Sequence, residues 1–250
     1  MLNHPTLEVA CFSLPGLLAA VRAGAHRIEL CENPSAGGTT PAYGFLKLAR
    51  QATSLPVFPI IRPREGDFLY TDAEFEMMKA DIKLCKSMDF EGVVLGMLTA
   101  DGSIDLQRTQ QLVNIAYPME VTFHRAFDRC KEPLAALEQL INMGCNRVLT
   151  SGQKPTALQG ATLIRDLVLA ANHRLVVMPG GGIRADNIAQ LMAETKASEF
   201  HGAFRKVEAS AMQFEVQDLD ESLCFTSVDE AEVKSTVLHL SAADHCDYSG

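Results

Sequence analysis

The stretch Val121-Thr122-Phe123-His124-Arg125-Ala126-Phe127-Asp128 is an apolar-flanked strand that ends in a His-Arg pair. It reads as a site built at the tip of a strand. Strand ends of the same kind occur at Arg27-Ile28-Glu29-Leu30-Cys31, at Ile60-Ile61-Arg62-Pro63-Arg64 and at Leu149-Thr150-Ser151-Gly152. A series of polar strand ends is how a (β/α)8 barrel assembles one pocket at its mouth.

The rest of the chain has the matching alternation. β-rich runs at Leu7–Phe12, Arg27–Cys31, Val57–Ile61, Gly92–Gly96, Val121–His124, Asn146–Thr150, Leu175–Met178 and Ser198–His201 make eight candidate strands, and a helical segment follows each of the first seven. Eight βα units predict an α/β fold of the (β/α)8 TIM-barrel type, with a doubly wound open sheet as the second arrangement the pattern allows. Thr71-Asp72-Ala73-Glu74 has the spacing of a capping box opening a helix to about Ser87, and Gly24 and Gly144 sit where helices should stop. A helix is expected to start near Ala185. Residues 207–227 are polar and acidic without a clear period, Val228–Leu240 reads as a closing helix, and the end should fray. One domain over 1–241 and a disordered tail at 242–250 are therefore expected.

Composition narrows the function. The chain has 250 residues, 47% hydrophobic and 21% charged, and 22 basic against 31 acidic residues leave a formal charge of -9. That balance argues against nucleic acid or a membrane surface as the partner. No apolar run is long enough to span a bilayer, and Met1–Thr6 lacks a secretory start, so a cytoplasmic protein is expected. Seven scattered cysteines without a CxxC pair read as reduced thiols, mostly small buried hydrophobes.

Alternate residues of a strand share a face. Arg27, Glu29 and Cys31 then point to the barrel axis, as do Glu8 with Ala10, Thr122 with His124, and Glu199 with His201. Charges there must pair or meet solvent, because an unpaired buried charge costs several kcal/mol. One reading is an ion-pair lattice in which Arg27, Arg62 and Arg125 neutralise Glu8, Glu29 and Glu199. The other is a ligand pocket walled by Glu8, Thr122, Glu199 and His201. Anion-binding features surround it: Gly180-Gly181-Gly182 after the seventh strand, Thr150 and Ser151 after the sixth, and Arg27, Arg62 and Arg64.

Leu7-Glu8-Val9, Arg27-Ile-Glu-Leu-Cys31, Gly37-Gly-Thr-Thr-Pro41, Ile61-Arg-Pro-Arg64 with Gly66-Asp-Phe-Leu-Tyr70, the 121–128 stretch, Val148-Leu-Thr-Ser-Gly152 and Met178-Pro-Gly-Gly-Gly182 together resemble the CutC family of copper homeostasis proteins. The likeness covers about residues 7–202. It implies a cytoplasmic (β/α)8 barrel, a homo-oligomer (dimer or tetramer), and Cu(I) as the bound copper ion near the mouth. The family's two copper-associated cysteines fall on Ala10 and Cys31, so Cys31 alone stands as a metal residue, and Cys11 should point the other way. The residues themselves suggest an enzyme acting on a small phosphorylated or carboxylated metabolite, with Glu29 or His124 as general acid or base and Arg125 stabilising charge. A binding protein without turnover is the third expectation.

Overall fold

A computed structural model describes residues 5–214, 216, 219 and 222–246, with side chains to residue 242. The strands are β1 (Thr6–Cys11), β2 (Arg27–Leu30), β3 (Val57–Pro59), β4 (Gly92–Leu95), β5 (Glu120–Phe123), β6 (Arg147–Thr150), β7 (Val176–Pro179) and β8 (Glu199–Gly202). They alternate with helices α1 (Leu14–Arg22), α2 (Tyr43–Ala52), α3 (Asp72–Ser87), α4 (Leu106–Ala116), α5 (Pro133–Met143), α6 (Ala161–Ala171) and α7 (Ile188–Thr195). Parallel pairing gives two four-stranded sheets, ordered β3-β2-β1-β8 and β4-β5-β6-β7. Single parallel bridges, Ile60 to Val94 and Gly180 to His201, join the sheet edges and close the barrel. The fold is the (β/α)8 barrel.

Local chemistry places the helices where the sequence asks for them. Thr71 accepts from the Glu74 N–H while the Glu74 carboxylate accepts from the Thr71 N–H at 2.7 Å, so α3 opens with both halves of its capping box made. Gly144 ends α5 at φ +83°, a conformation that costs any residue with a Cβ. α7 starts three residues later than expected, at Ile188, because Arg184 to Asn187 form a turn in which the Asn187 side chain accepts the Arg184 N–H at 3.0 Å.

Two expectations need correction. The polar stretch after the eighth strand, which shows no period in the sequence, contributes to a regular element: β9 (Arg205–Glu208) and β10 (Phe225–Val228) form an antiparallel ribbon before the closing helix. That helix, α8 (Glu230–Cys246), runs past the boundary expected at 241, so the disordered tail expected from 242 is helical as far as Cys246, and 247–250 lie outside the described residues.

Most of the apolar core lies between strands and helices, where Leu7, Val9, Cys11, Ile28 and Leu30 point. Inside the barrel a small separate cluster, Cys31, Phe58, Ile60 and Val94, fills the space under the mouth. A Cβ on Gly92 would lie 2.0 Å from the Phe58 ring, so that glycine is the room the ring occupies.

Candidate functional site

Strand register assembles a charged ladder inside the barrel. β1 pairs with both β2 and β8 so that Glu8 lies beside Arg27 and beside His201. Arg147 binds Glu120 at 2.6 Å and Glu199 at 2.7 Å; Arg27 binds Glu199 at 2.6 Å and also Glu8. Glu8 then accepts from His201 Nδ1 at 2.7 Å, His201 Nε2 lies 3.7 Å from Glu29, and the Cys31 thiol donates to Glu29 at 3.3 Å. Opposite charges alternate along the chain of groups, which offsets the desolvation each suffers. The Arg27 and Arg147 guanidiniums both approach the Phe58 ring, 5.3 and 5.4 Å from its centroid.

The lattice expectation thus holds for Arg27 but not for Arg62 or Arg125, which sit higher. Arg147, overlooked in the sequence, completes it. Its signal was available: it is the one charged residue of its strand and shares a face with Leu149.

Above the ladder opens a cavity of about 320 Å³, walled by Glu29, Arg62, His124, Arg125, His201 and the Gly181-Gly182 backbone. Glu8, Thr122 and Glu199, expected as pocket walls, lie beneath it and do not line it. Arg62 spends its guanidinium on the carbonyls of Ala36, Gly38 and Gly66, at 2.7, 2.8 and 3.0 Å, and so braces the loops around the mouth. Arg64 turns outward to Glu74 at 2.6 Å and Asp67 at 2.8 Å; the intervening Pro63 separates the two guanidiniums, and the expected double-arginine clamp does not form. Thr150 and Ser151 are likewise diverted. The Thr150 hydroxyl and the Ser151 N–H bind Asp128, at 2.6 and 3.0 Å, and Ser151 Oγ accepts from Arg125 at 2.7 Å.

The anion-binding groups that remain are concentrated on one wall. Gly180 donates its N–H to Thr150, but the N–H groups of Gly181 and Gly182 have no acceptor among the described residues. Both glycines have positive φ, +110° and +77°, and a Cβ on Gly181 would stand 3.8 Å from the Arg125 guanidinium carbon. Arg125 keeps its Nε on Asp128 at 2.8 Å and stays exposed on the other side. Arg184 and Arg205 add charge at the rim. Neither was singled out in the sequence, although Arg184 stands two residues after the glycine run.

The titratable groups divide sharply. Burial alone would raise the Glu8 carboxyl, yet Arg27 and His201 outweigh it and hold Glu8 ionised well below the usual carboxylate range. Burial disfavours a charged His201, but Glu29 and Glu8 reverse this and raise its pKa. Glu29 is pushed up by burial, with His201 opposing, so it holds a proton more readily than an ordinary glutamate. His201 and Glu29 thus face one another at the cavity wall, 3.7 Å apart and both with raised pKa values, and Glu8 holds the imidazole from below. His124 goes the other way. Burial, helped by the Arg62 charge, brings it to about 3, and its Nδ1 accepts the Ala126 N–H at 3.2 Å. It is therefore neutral at physiological pH and a weaker base than an ordinary histidine.

The copper reading meets a different geometry. Cys31 is 1% exposed, and Gly38 lies over it so closely that a Cβ there would be 3.3 Å from Sγ. Burial, and then the Glu29 carboxylate, raise its thiol well above the ordinary value. Cu(I) sites need thiolate or thioether donors. Cys11 faces the helix layer, with Sγ on the Val9 carbonyl. Among the described residues no three His, Cys, Asp or Glu side chains are grouped to hold a metal ion. The residues present do not fit a thiolate copper site.

Comparison with known proteins bears on the same residues. The CutC family model matches residues 5–206. A CutC family protein of Chromobacterium violaceum is 50% identical over 208 residues, covering 83% of this chain and 84% of that protein. The human protein named copper homeostasis protein cutC homolog is 49% identical over 212 residues, 85% of this chain and 78% of its own length. A crystal structure of CutC from Streptococcus agalactiae superposes with a TM-score of 0.76 at 33% identity, covering 79% of this chain and 98% of that one. With the barrel, the mouth and the signature stretches all inside the matched region, the chain belongs to the CutC family.

Proposed function

We propose that the barrel mouth binds a small phosphorylated or carboxylated metabolite and acts on it as an enzyme, with Glu29 and His201 moving the proton and Arg125 balancing negative charge. The observation that carries this reading is the pair of N–H groups on Gly181 and Gly182 without acceptors among the described residues, beside Arg125, on a cavity also lined by Glu29 and His201. Of the expected anion-binding residues, Gly181 and Gly182 hold that role here, with Arg125 added. Arg27, Arg62, Arg64, Thr150, Ser151 and Gly180 act as structural supports.

A cytoplasmic homo-oligomer is the setting the family implies; the exposed Tyr43 and Leu48 of α2 support association. No helix among the described residues is long and apolar enough to cross a membrane. The rival reading is the family's copper role exerted directly, with Cu(I) on Cys31.

Thermal unfolding with inorganic phosphate, phosphoglycolate and pyruvate separates the two. A millimolar anion that binds should raise the Tm by roughly 2–4 °C, and Arg125→Ala should remove most of the rise. If no anion raises the Tm while a competition titration shows one Cu(I) per chain that Cys31→Ala abolishes, copper binding takes its place.

A further inference from the structure

The imidazole of His124 is 4% exposed and forms part of the cavity wall. Its Nδ1 lone pair is occupied by the Ala126 N–H, at the start of a 3-10 turn spanning Arg125–Arg129. A neutral ring whose Nδ1 accepts must carry its proton on Nε2. That Nε2–H is buried and has no partner among the described residues. An unsatisfied buried donor is costly and uncommon, and one on a residue of the cavity wall points to an acceptor that arrives with a ligand.

The surroundings say which acceptor. The Phe68 ring packs over the imidazole with centroids 4.9 Å apart, and the Arg62 guanidinium lies 5.1 Å from the centroid of that ring. A hydroxyl placed there would bring a proton of its own into a group of donors and an aromatic face. A carbonyl or enolate oxygen brings lone pairs alone. Phe68 is only half-buried and belongs to the loop between β3 and α3, so it is the part of the wall that can yield to admit the oxygen.

We propose that the anionic ligand of the mouth carries a carbonyl group, and that its oxygen accepts the Nε2–H of His124 in the place now covered by Phe68. This rests on the anion-binding reading above. His124 then acts as a fixed neutral donor that polarises the carbonyl, while the anionic end of the ligand sits at Gly181, Gly182 and Arg125. His124 and the Glu29–His201 pair approach the ligand from different walls. The neutral state is favoured by burial of the ring and by the Arg62 charge beside it.

The test uses the full chain and three phosphates on one three-carbon skeleton that differ only at C2: acetonyl phosphate, propane-1,2-diol 1-phosphate and n-propyl phosphate. In calorimetric titration the ketone should bind about tenfold more tightly than the propyl ester, with the alcohol between, because a site built around a hydrogen bond rejects an analogue that lacks the acceptor. His124→Ala should bring the ketone down to the propyl ester and leave the propyl ester unchanged. Nitrogen-15 NMR of the unaltered protein should show His124 as the Nε2–H tautomer from pH 5.5 to 8, a readout independent of whether the variant folds. Equal binding of ketone and propyl ester, or an Nδ1–H tautomer, overturns the donor role and leaves the anion reading standing. Binding of none of the three overturns both.

Discussion

At the scale of single residues, His124 and His201 have opposite linkage to pH although both are buried. The His124 pKa falls from an ordinary value near 6.5 to about 3 on folding, so its contribution to stability is fully present above pH 6.5 and is lost as pH falls toward 3. His201 is raised on folding, so its contribution is present below about pH 6.5 and is lost as pH rises through its folded value. Stability should therefore crest near neutrality. Urea midpoints measured from pH 4.5 to 8.5 are expected to show His124→Gln flattening the acid limb and His201→Gln the alkaline one. An acid limb unchanged in His124→Gln would contradict the burial assigned to that ring. The sequence marked both histidines as site residues but could not assign their protonation. Partner and burial decide that: the Ala126 N–H for one and Glu8 for the other.

At the scale of elements, the eight barrel strands were legible because they are short β-rich runs between turn signals, apolar or alternating apolar with polar, and the alternation with helices repeats without a break. The ribbon of β9 and β10 was not. Its Arg205, Lys206, Val207 and Phe225 are exposed, so burial imposes no periodic pattern on its residues. β3 is shorter than its apolar run because Ile60 makes only a single bridge to Val94 at the seam between the two sheets. That seam depends on Gly92 and Phe58 fitting together. Gly92→Ala drives a Cβ into the ring and should cost about 3 kcal/mol or more, beyond the usual range for overpacking. Gly144→Ala meets nothing within 4 Å and should cost only the strain of its positive φ, about 1 kcal/mol. Reversal of that order in urea unfolding would mean that the Phe58 ring is free to move.

For the whole molecule, the ladder from Glu120 to Cys31 replaces much of the branched apolar filling that barrels ordinarily use. Removing one member leaves its partners buried and uncompensated. Arg27→Met should destabilise the protein by roughly 3–5 kcal/mol, since Glu8 keeps only His201 and Glu199 only Arg147. Arg174→Met, which breaks a solvent-exposed pair with Glu138, should leave the urea midpoint unchanged within error. Similar values for the two variants would mean that water enters the barrel and screens the ladder.

The sequence alone determined the barrel, the identity of its strands and the fact that polar groups gather at their ends. Those features are written in contiguous residues, as periodicity, caps and turn glycines. The tertiary structure decided which polar groups meet a ligand. Glu8 finds His201 across 193 positions, Asp128 absorbs the Thr150 hydroxyl and the Ser151 N–H, Gly38 closes over Cys31, and Arg62 turns inward while Arg64 turns out. Pairing and burial belong to neighbours brought together by packing, and they set the charge, the tautomer and the accessibility of every group at the mouth.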